Sequence, residues 1–298
     1  MANGLTLDVL LETAKKAAQE AGEIVNERFV NHKVNIISPS GQHLVTDADQ
    51  LSQAALIKRL WSVEQKPIVG EEGDILLADR QNGDFWLVDP LDGTKNFASG
   101  MGYFCVGIAY IQDYLPILSV IVDNTGTLYY GSKNGLGIDK EFYITFPKKP
   151  IPQVARVGYS RNTQVDLHEK IERIITELNI TSQDTDKGSA LLEMLEVALG
   201  KRDAFFRLQT KPWDIGAAHA IAEACGCIVT DNFGNEILYR LSTNYLLNGV
   251  LVTRDHDFHM RLVADLTRER NKLGLLETQI DPALFGGRQP KNEYRLTR

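Results

Sequence analysis

Apolar residues recur at helical spacing over residues 7–29, where Val9, Leu10, Ala14, Ala17, Ala21, Ile24, Val25 and Phe29 form one face behind Thr6 as N-cap. Leu51, Ala55, Leu56, Leu60 and Trp61 predict a second helix over 48–63. Two short apolar strands follow. Pro67 to Val69 runs into Gly-Glu-Glu-Gly, and Phe85 to Val88 is expected to end at Asp89-Pro90, because proline cannot continue a ladder. From Tyr103 to Tyr130 the runs FCVGIAYI, PILSVIV and TLYYGS, separated by polar breaks, predict an antiparallel meander, with Asn134-Gly135 as a further turn.

The second half alternates. A strand over 155–160, a helix over 166–178, a helix over 189–199 closed by Gly200, the strand DAFFRL, a helix over 214–225 and the strand CIVTD read as an α/β layer. The stretch FPKKPIPQ (146–153) carries three of the ten prolines and interrupts both periods. It divides the chain into an α+β domain (1–150) and an α/β domain (151–265), with a polar extension (266–298).

Composition changes this picture little. Of 298 residues 43% are hydrophobic and 24% charged, enough for a sizeable core and unlike a disordered chain. The net charge of −7 removes a global basic footprint for a nucleic-acid polymer, although an acidic chain still binds an anion where metal ions supply the positive charge. Cys105, Cys225 and Cys227 are odd in number and read as free buried thiols in a reducing compartment. The start lacks a basic region followed by an apolar stretch, and no run of ~18 apolar residues exists for a membrane span. The expected location is cytoplasmic.

The candidate chemistry is acidic. Glu71 and Glu72 follow one strand, Asp89 and Asp92 follow another, Asp214 opens a helix and Asp47 and Asp49 precede one. Singly, such residues are turn formers, caps or solvated loops. Jointly, carboxylates at strand and helix ends form an oxygen-only ligand set suited to Mg²⁺ or Mn²⁺. Gly93-Thr94 adds backbone donors for an anion. Carboxylates, hard cations and backbone donors together describe phosphoryl chemistry, with Thr94 and a nearby carboxylate placed to take a proton from water.

The strings VGEEG (69–73), WLVDPLDGTKNF (86–97), DKGSALLEMLEVALGKRDAFF (186–206), KPWDIGAAHAIAEACG (211–226) and LVTDADQ (44–50) resemble the inositol monophosphatase superfamily of Mg²⁺-dependent, lithium-sensitive phosphomonoesterases, across roughly residues 8–260. The superfamily includes bisphosphate nucleotidases and some fructose-1,6-bisphosphatases. The resemblance implies a layered α-β-α-β-α sandwich. It implies Glu71, Asp89 and the Leu91 carbonyl at the first metal, Asp89 bridging, and Asp92 and Asp214 at the second. Glu71 also serves a third ion where one is present. It implies Asp49 and Thr94 as the pair that activates water, Gly93 and Thr94 amides on the phosphate, and Gly188 and Ser189 in the substrate pocket. Two or three Mg²⁺ ions, Mn²⁺ as substitute, Li⁺ as inhibitor, a small phosphorylated substrate and a homodimer follow from the same resemblance.

Two positions depart from the inositol pattern. Arg207 stands where the inositol enzymes carry an acid seven residues before the Trp-Asp aspartate, and Lys95 stands where threonine is common. Arg207 has only donors, so it either meets a second anionic group or turns outward to an acid. Lys95 resembles the bisphosphate nucleotidases, while Asn96-Phe97 and Lys211-Pro212-Trp213 resemble the inositol branch. Three functions stay open: a phosphatase of the inositol monophosphatase type, a 3′(2′),5′-bisphosphate nucleotidase acting on 3′-phosphoadenosine 5′-phosphate, and a non-catalytic regulatory protein on the same scaffold. His219 reads as a packed histidine, His256 and His259 as a polar surface turn, and Arg288, Lys291, Arg295 and Arg298 as a solvated tail.

Overall fold

The computed structural model describes residues 5–38, 44–75, 83–132, 135–138, 141–142, 157–159, 187–240 and 246–272. The expected helix over 166–178, the proline-rich stretch 146–153 and the basic tail lie outside them, as do residues 133–134 of the expected Asn134-Gly135 turn.

Helix α1 (Leu7–Val30) starts where the Thr6 hydroxyl accepts from the Val9 amide. Its buried stripe runs through Leu10, Ala14, Ala17, Ala18, Ala21 and Val25, while Val9, expected on that face, is exposed. A small hairpin, β1 (Ile36–Ser38) and β2 (Val45–Thr46), leads into α2 (Asp47–Val63). The chain then lays down β3 (Ile68–Gly70), β4 (Gly73–Ile75) and β5 (Phe85–Asp92). After the short α3 (Thr94–Ala98) come β6 (Cys105–Gln112), β7 (Leu115–Asp123), β8 (Leu128–Ser132), β9 (Gly135–Ile138) and β10 (Glu141–Phe142). These last eight strands form one sheet in the order β10-β9-β8-β7-β6-β5-β3-β4, antiparallel except for β3 beside β5.

A second sheet has the order β11-β12-β14-β13, from β11 (Val157–Tyr159), β12 (Ala204–Arg207), β13 (Ile228–Thr230) and β14 (Val250–Thr253). Its helices are α4 (Ala190–Ala198), α5 (Trp213–Ala224) and α6 (His256–Lys272).

Strand alternation sorts the side chains into layers. On the large sheet Ile68, Trp86, Val88, Val106, Ile108 and Tyr110 join the core under α1 and α2. Their neighbours Val69, Leu87, Cys105, Ala109 and Ile111 join a second core with Leu191, Leu195, Ile215 and Ile221 of α4 and α5. Phe205, Val229, Val250 and Val252 of the small sheet close that second core from the other side. Ala204, Phe206 and Leu251 face the third core, with Phe258, Leu262 and Leu266 of α6. The order α1/α2, large sheet, α4/α5, small sheet, α6 is the expected α-β-α-β-α sandwich.

Two expectations need correction. Asp89-Pro90 does not end β5. Asp89 still pairs with Gly107 and Asp92 with Cys105, and a register shift between them leaves Pro90 in a bulge. A bulged residue needs no ladder N–H, so proline is tolerated there. His256 and His259 are not a surface turn: they open α6, and His259 is buried. Its ring nitrogens lie 2.9 Å from the Thr230 and Thr253 hydroxyls, so a polar string that looked solvated is a satisfied core histidine. The cysteines are free and buried, as expected.

Candidate active site

Four element ends meet at the bulge of β5. Helix α2 begins with a capping box: the Asp49 carboxylate accepts from both the amide (2.8 Å) and the hydroxyl (2.5 Å) of Thr46. One turn on, the Ser52 hydroxyl donates to the Pro90 carbonyl at 2.6 Å and fixes the bulge to α2. Gln53 clamps the turn that carries the two glutamates, its amide donating to the Glu72 carbonyl (2.9 Å) while its own carbonyl accepts from the Glu72 N–H (3.3 Å). These second-row anchors were not legible in the sequence, where Ser52 and Gln53 are ordinary helix positions.

Gly93 turns the chain from β5 into α3 at φ +93°, a left-handed conformation, and a Cβ there would lie 2.8 Å from the Tyr103 carbonyl oxygen. Thr94 follows, with its hydroxyl 3.0 Å from Asp49 Oδ1 and 2.9 Å from the Leu91 carbonyl. The expected pair Asp49–Thr94 is therefore in hydrogen-bond contact. Asn96, which the sequence reading gave no role, donates to the carbonyls of Tyr103 (2.8 Å) and Lys187 (2.7 Å) and so ties α3 to the segment entering α4. Lys95 is exposed and its side chain has no partner among the described residues.

Asp89 and Asp92 are buried at the end of β5. Asp89 accepts from the Leu91 amide at 3.1 Å. Asp92 Oδ2 accepts from the Ser189 hydroxyl (2.6 Å) and the Leu191 amide (2.7 Å) at the start of α4. Ser189, expected in the substrate pocket, is fully buried, accepts from the Leu192 N–H as N-cap and holds Asp92; Gly188 precedes it at φ +86°. Asp214 in the first turn of α5 has its Oδ2 taken by Arg207 Nη1 (2.9 Å), the Thr210 hydroxyl (3.2 Å) and the Lys211 amide (3.3 Å). Arg207 does pair with an acid, but inward, onto one of the expected metal ligands.

The electrostatics mark these carboxylates as one group. Burial and then the charges of Asp214, Glu72, Asp92 and Asp49 push the Glu71 carboxyl well above its usual range. Burial and then Glu71, Asp92 and Asp214 do the same to Asp89. Burial pushes Asp92 up to about 6, against the pull of Ser189 and Arg207. Glu72 rises to about 7 through burial and Asp49, and burial raises Asp49. Buried like charges that repel one another need a counter-charge, and oxygen-only donors suit a hard divalent ion. The residues fit such an ion in chemistry. As they stand, among the described residues, no three His, Cys, Asp or Glu side chains are arranged to hold a metal ion. Asp92 and Asp214 each have one oxygen turned to protein donors instead.

His219 lies on α5, buried, with its Nδ1 2.9 Å from the Tyr239 hydroxyl, the packed histidine expected. Among the described residues no helix is long and apolar enough to cross a membrane.

The chain is similar in sequence and in fold to known proteins. A "Nus factor SuhB" of Xylella fastidiosa is 27% identical over 222 residues, 72% of this chain and 79% of its own. The "3′(2′),5′-bisphosphate nucleotidase CysQ" of Escherichia coli K12 is 28% identical over 254 residues, 82% of this chain and 99% of its own. The crystal structure of inositol monophosphatase-II from Staphylococcus aureus superposes with a TM-score of 0.75 at 23% identity, over 91% of this chain and 98% of that one, which speaks to the fold. The profile of the inositol monophosphatase family matches residues 6–271. Because that match spans most of the chain, the chain belongs to the inositol monophosphatase family.

Proposed function

We propose that this protein is a Mg²⁺-dependent phosphatase that hydrolyses a small phosphomonoester. The observation that carries this reading is that the charges of Asp92 and Asp214 both reach Glu71 and Asp89, beside the Asp49–Thr94 hydrogen bond. Glu71, Asp89, the Leu91 carbonyl, Asp92 and Asp214 would hold two or three ions, with Mn²⁺ as substitute and Li⁺ as inhibitor. Bound ions of this kind neutralise phosphoryl charge and lower the pKa of water.

The chain's own residues account for the proton. Thr94 has one hydroxyl proton and two acceptors in reach, the Leu91 carbonyl and Asp49 Oδ1. Donating to one leaves its lone pairs open to a proton from water. Asp49, whose burial raises its affinity for protons, stands next in line to receive it. Amides of Gly93 and Thr94 would orient the phosphate, Gly188, Lys95 and Arg207 belong to the substrate side, and buried Ser189 acts through Asp92. In this reading the metal ligands other than Asp214 come from residues 1–150, and Asp214 and the pocket from residues 151–265. The protein is cytoplasmic, acts as a homodimer and needs neither a membrane nor a nucleic-acid polymer.

The first substrate class is a sugar or polyol phosphate of the inositol type. A bisphosphate nucleotide is the second, favoured by Arg207 lying inside the site where a hydroxyl acceptor would otherwise stand. The experiment is phosphate release from p-nitrophenyl phosphate with and without Mg²⁺, followed by inositol 1-phosphate against 3′-phosphoadenosine 5′-phosphate. Mg²⁺-dependent release is expected. Absence of release from all three overturns the enzymatic reading in favour of a regulatory protein on this scaffold; one similar protein is named a Nus factor.

A further inference from the structure

We propose that Arg207 is an internal cation that competes with a divalent ion for Asp214 and so sets the occupancy of the second metal site. The inference rests on the metal reading above and concerns its regulation.

Arg207 ends β12, where it pairs with Val250 of β14, one residue past the last pair with β11. Its backbone is anchored in the sheet, whereas the side chain beyond it is long and rotatable. Its Nη1 lies 2.9 Å from Asp214 Oδ2, and Asp214 is one of the two carboxylates expected at the second metal. The Arg207 side chain is only 13% exposed and that of Asp214 21%, so solvent screens the pair incompletely.

A guanidinium and a divalent ion held against one carboxylate oxygen repel each other. An ion that takes Asp214 through Oδ2 therefore competes with Arg207 for it. Its apparent affinity is reduced by the free energy of the ion pair it weakens. Once displaced, the guanidinium stays tethered beside the same site, where an anionic substrate group can accept its donors.

The test is titration of the folded protein with MnCl₂ in the absence of substrate, by calorimetry and by electron paramagnetic resonance of free Mn²⁺. Wild type is expected to show a strong and a weak class of site. Arg207→Gln should tighten the weak class by about tenfold or more, a shift that a single unit charge beside a divalent ion readily gives. The same variant should melt at a lower temperature without metal, because it removes a positive charge hydrogen-bonded to Asp214. Asp214→Asn should remove the weak class. A purely structural Arg207 gives the lower melting temperature with unchanged or weaker Mn²⁺ binding, which overturns the proposal while leaving the metal reading intact. No Mn²⁺ bound by wild type, Arg207→Gln or Asp214→Asn overturns the metal reading itself. If Arg207→Gln does not fold, a crystal structure of wild type soaked in Mn²⁺ decides: an intact Arg207–Asp214 Oδ2 bond with metal on that oxygen refutes the competition, and a displaced Arg207 supports it.

Discussion

His259 gives the fold a specific acid sensitivity. The ring is 1% exposed beneath α6, and burial, with a smaller contribution from His256, lowers its pKa from 6.5 to about 4. The hydroxyl of Thr230 donates to the Asp231 carbonyl at 2.7 Å, which leaves it to accept from His259 Nε2–H at 2.9 Å. The Thr253 hydroxyl has one proton and two acceptors in reach, Nδ1 at 2.9 Å and the Asp255 carbonyl at 3.2 Å, and donating it to Nδ1 suits the neutral tautomer. A histidine whose folded pKa is depressed binds its proton more tightly when unfolded. Its contribution to stability is fully present above pH 6.5 and is lost as the pH falls from 6.5 toward 4. At about 1.36 kcal/mol per unit, the shift amounts to about 3 kcal/mol in total, of which about 2.5 kcal/mol is gone at pH 4.5. Urea denaturation at pH 7.5 and 4.5, for wild type and His259→Gln, isolates this share as a difference of differences. The carboxylates of the active site titrate in both proteins and cancel. The variant should lose about 2.5 kcal/mol less than wild type between the two pH values. Parallel losses, or a ring resonance that titrates near pH 6.5 by NMR, refute the reasoning.

Three further outcomes follow from the site. Gly93→Ala forces a Cβ into a left-handed turn 2.8 Å from a carbonyl oxygen and should cost roughly 2–3 kcal/mol, read by urea denaturation; a neutral result rejects the tight approach. Ser189→Ala removes both the N-cap of α4 and a donor to buried Asp92 and should cost roughly 2 kcal/mol; a loss below ~0.5 kcal/mol means that neither bond matters. Asp92→Asn should lower Mg²⁺-dependent turnover roughly 100-fold or more, since even outer partners of metal ligands cost ~10- to 100-fold, and full activity with Mg²⁺ would show that Asp92 is not a ligand.

The sequence by itself determined the elements that rest on local pattern: the long amphipathic α1, the meander β6–β8, the α4 and α5 segments and the acidic strings at element ends. Periodicity and turn chemistry act over a few residues, so they survive without knowledge of what packs where. Tertiary structure decided what local rules misjudge. Asp89-Pro90 remains in a sheet because a bulge opposite Gly107 and Cys105 absorbs the missing N–H. In the polar string that opens α6, His256 is exposed but His259 is buried, because Thr230 and Thr253, 29 and 6 residues away in sequence, bond its ring. Arg207 faces inward because Asp214, seven residues later, returns on a helix beside the strand end. Which buried charge meets which is fixed by the crossing of distant segments, and a linear pattern holds no record of that.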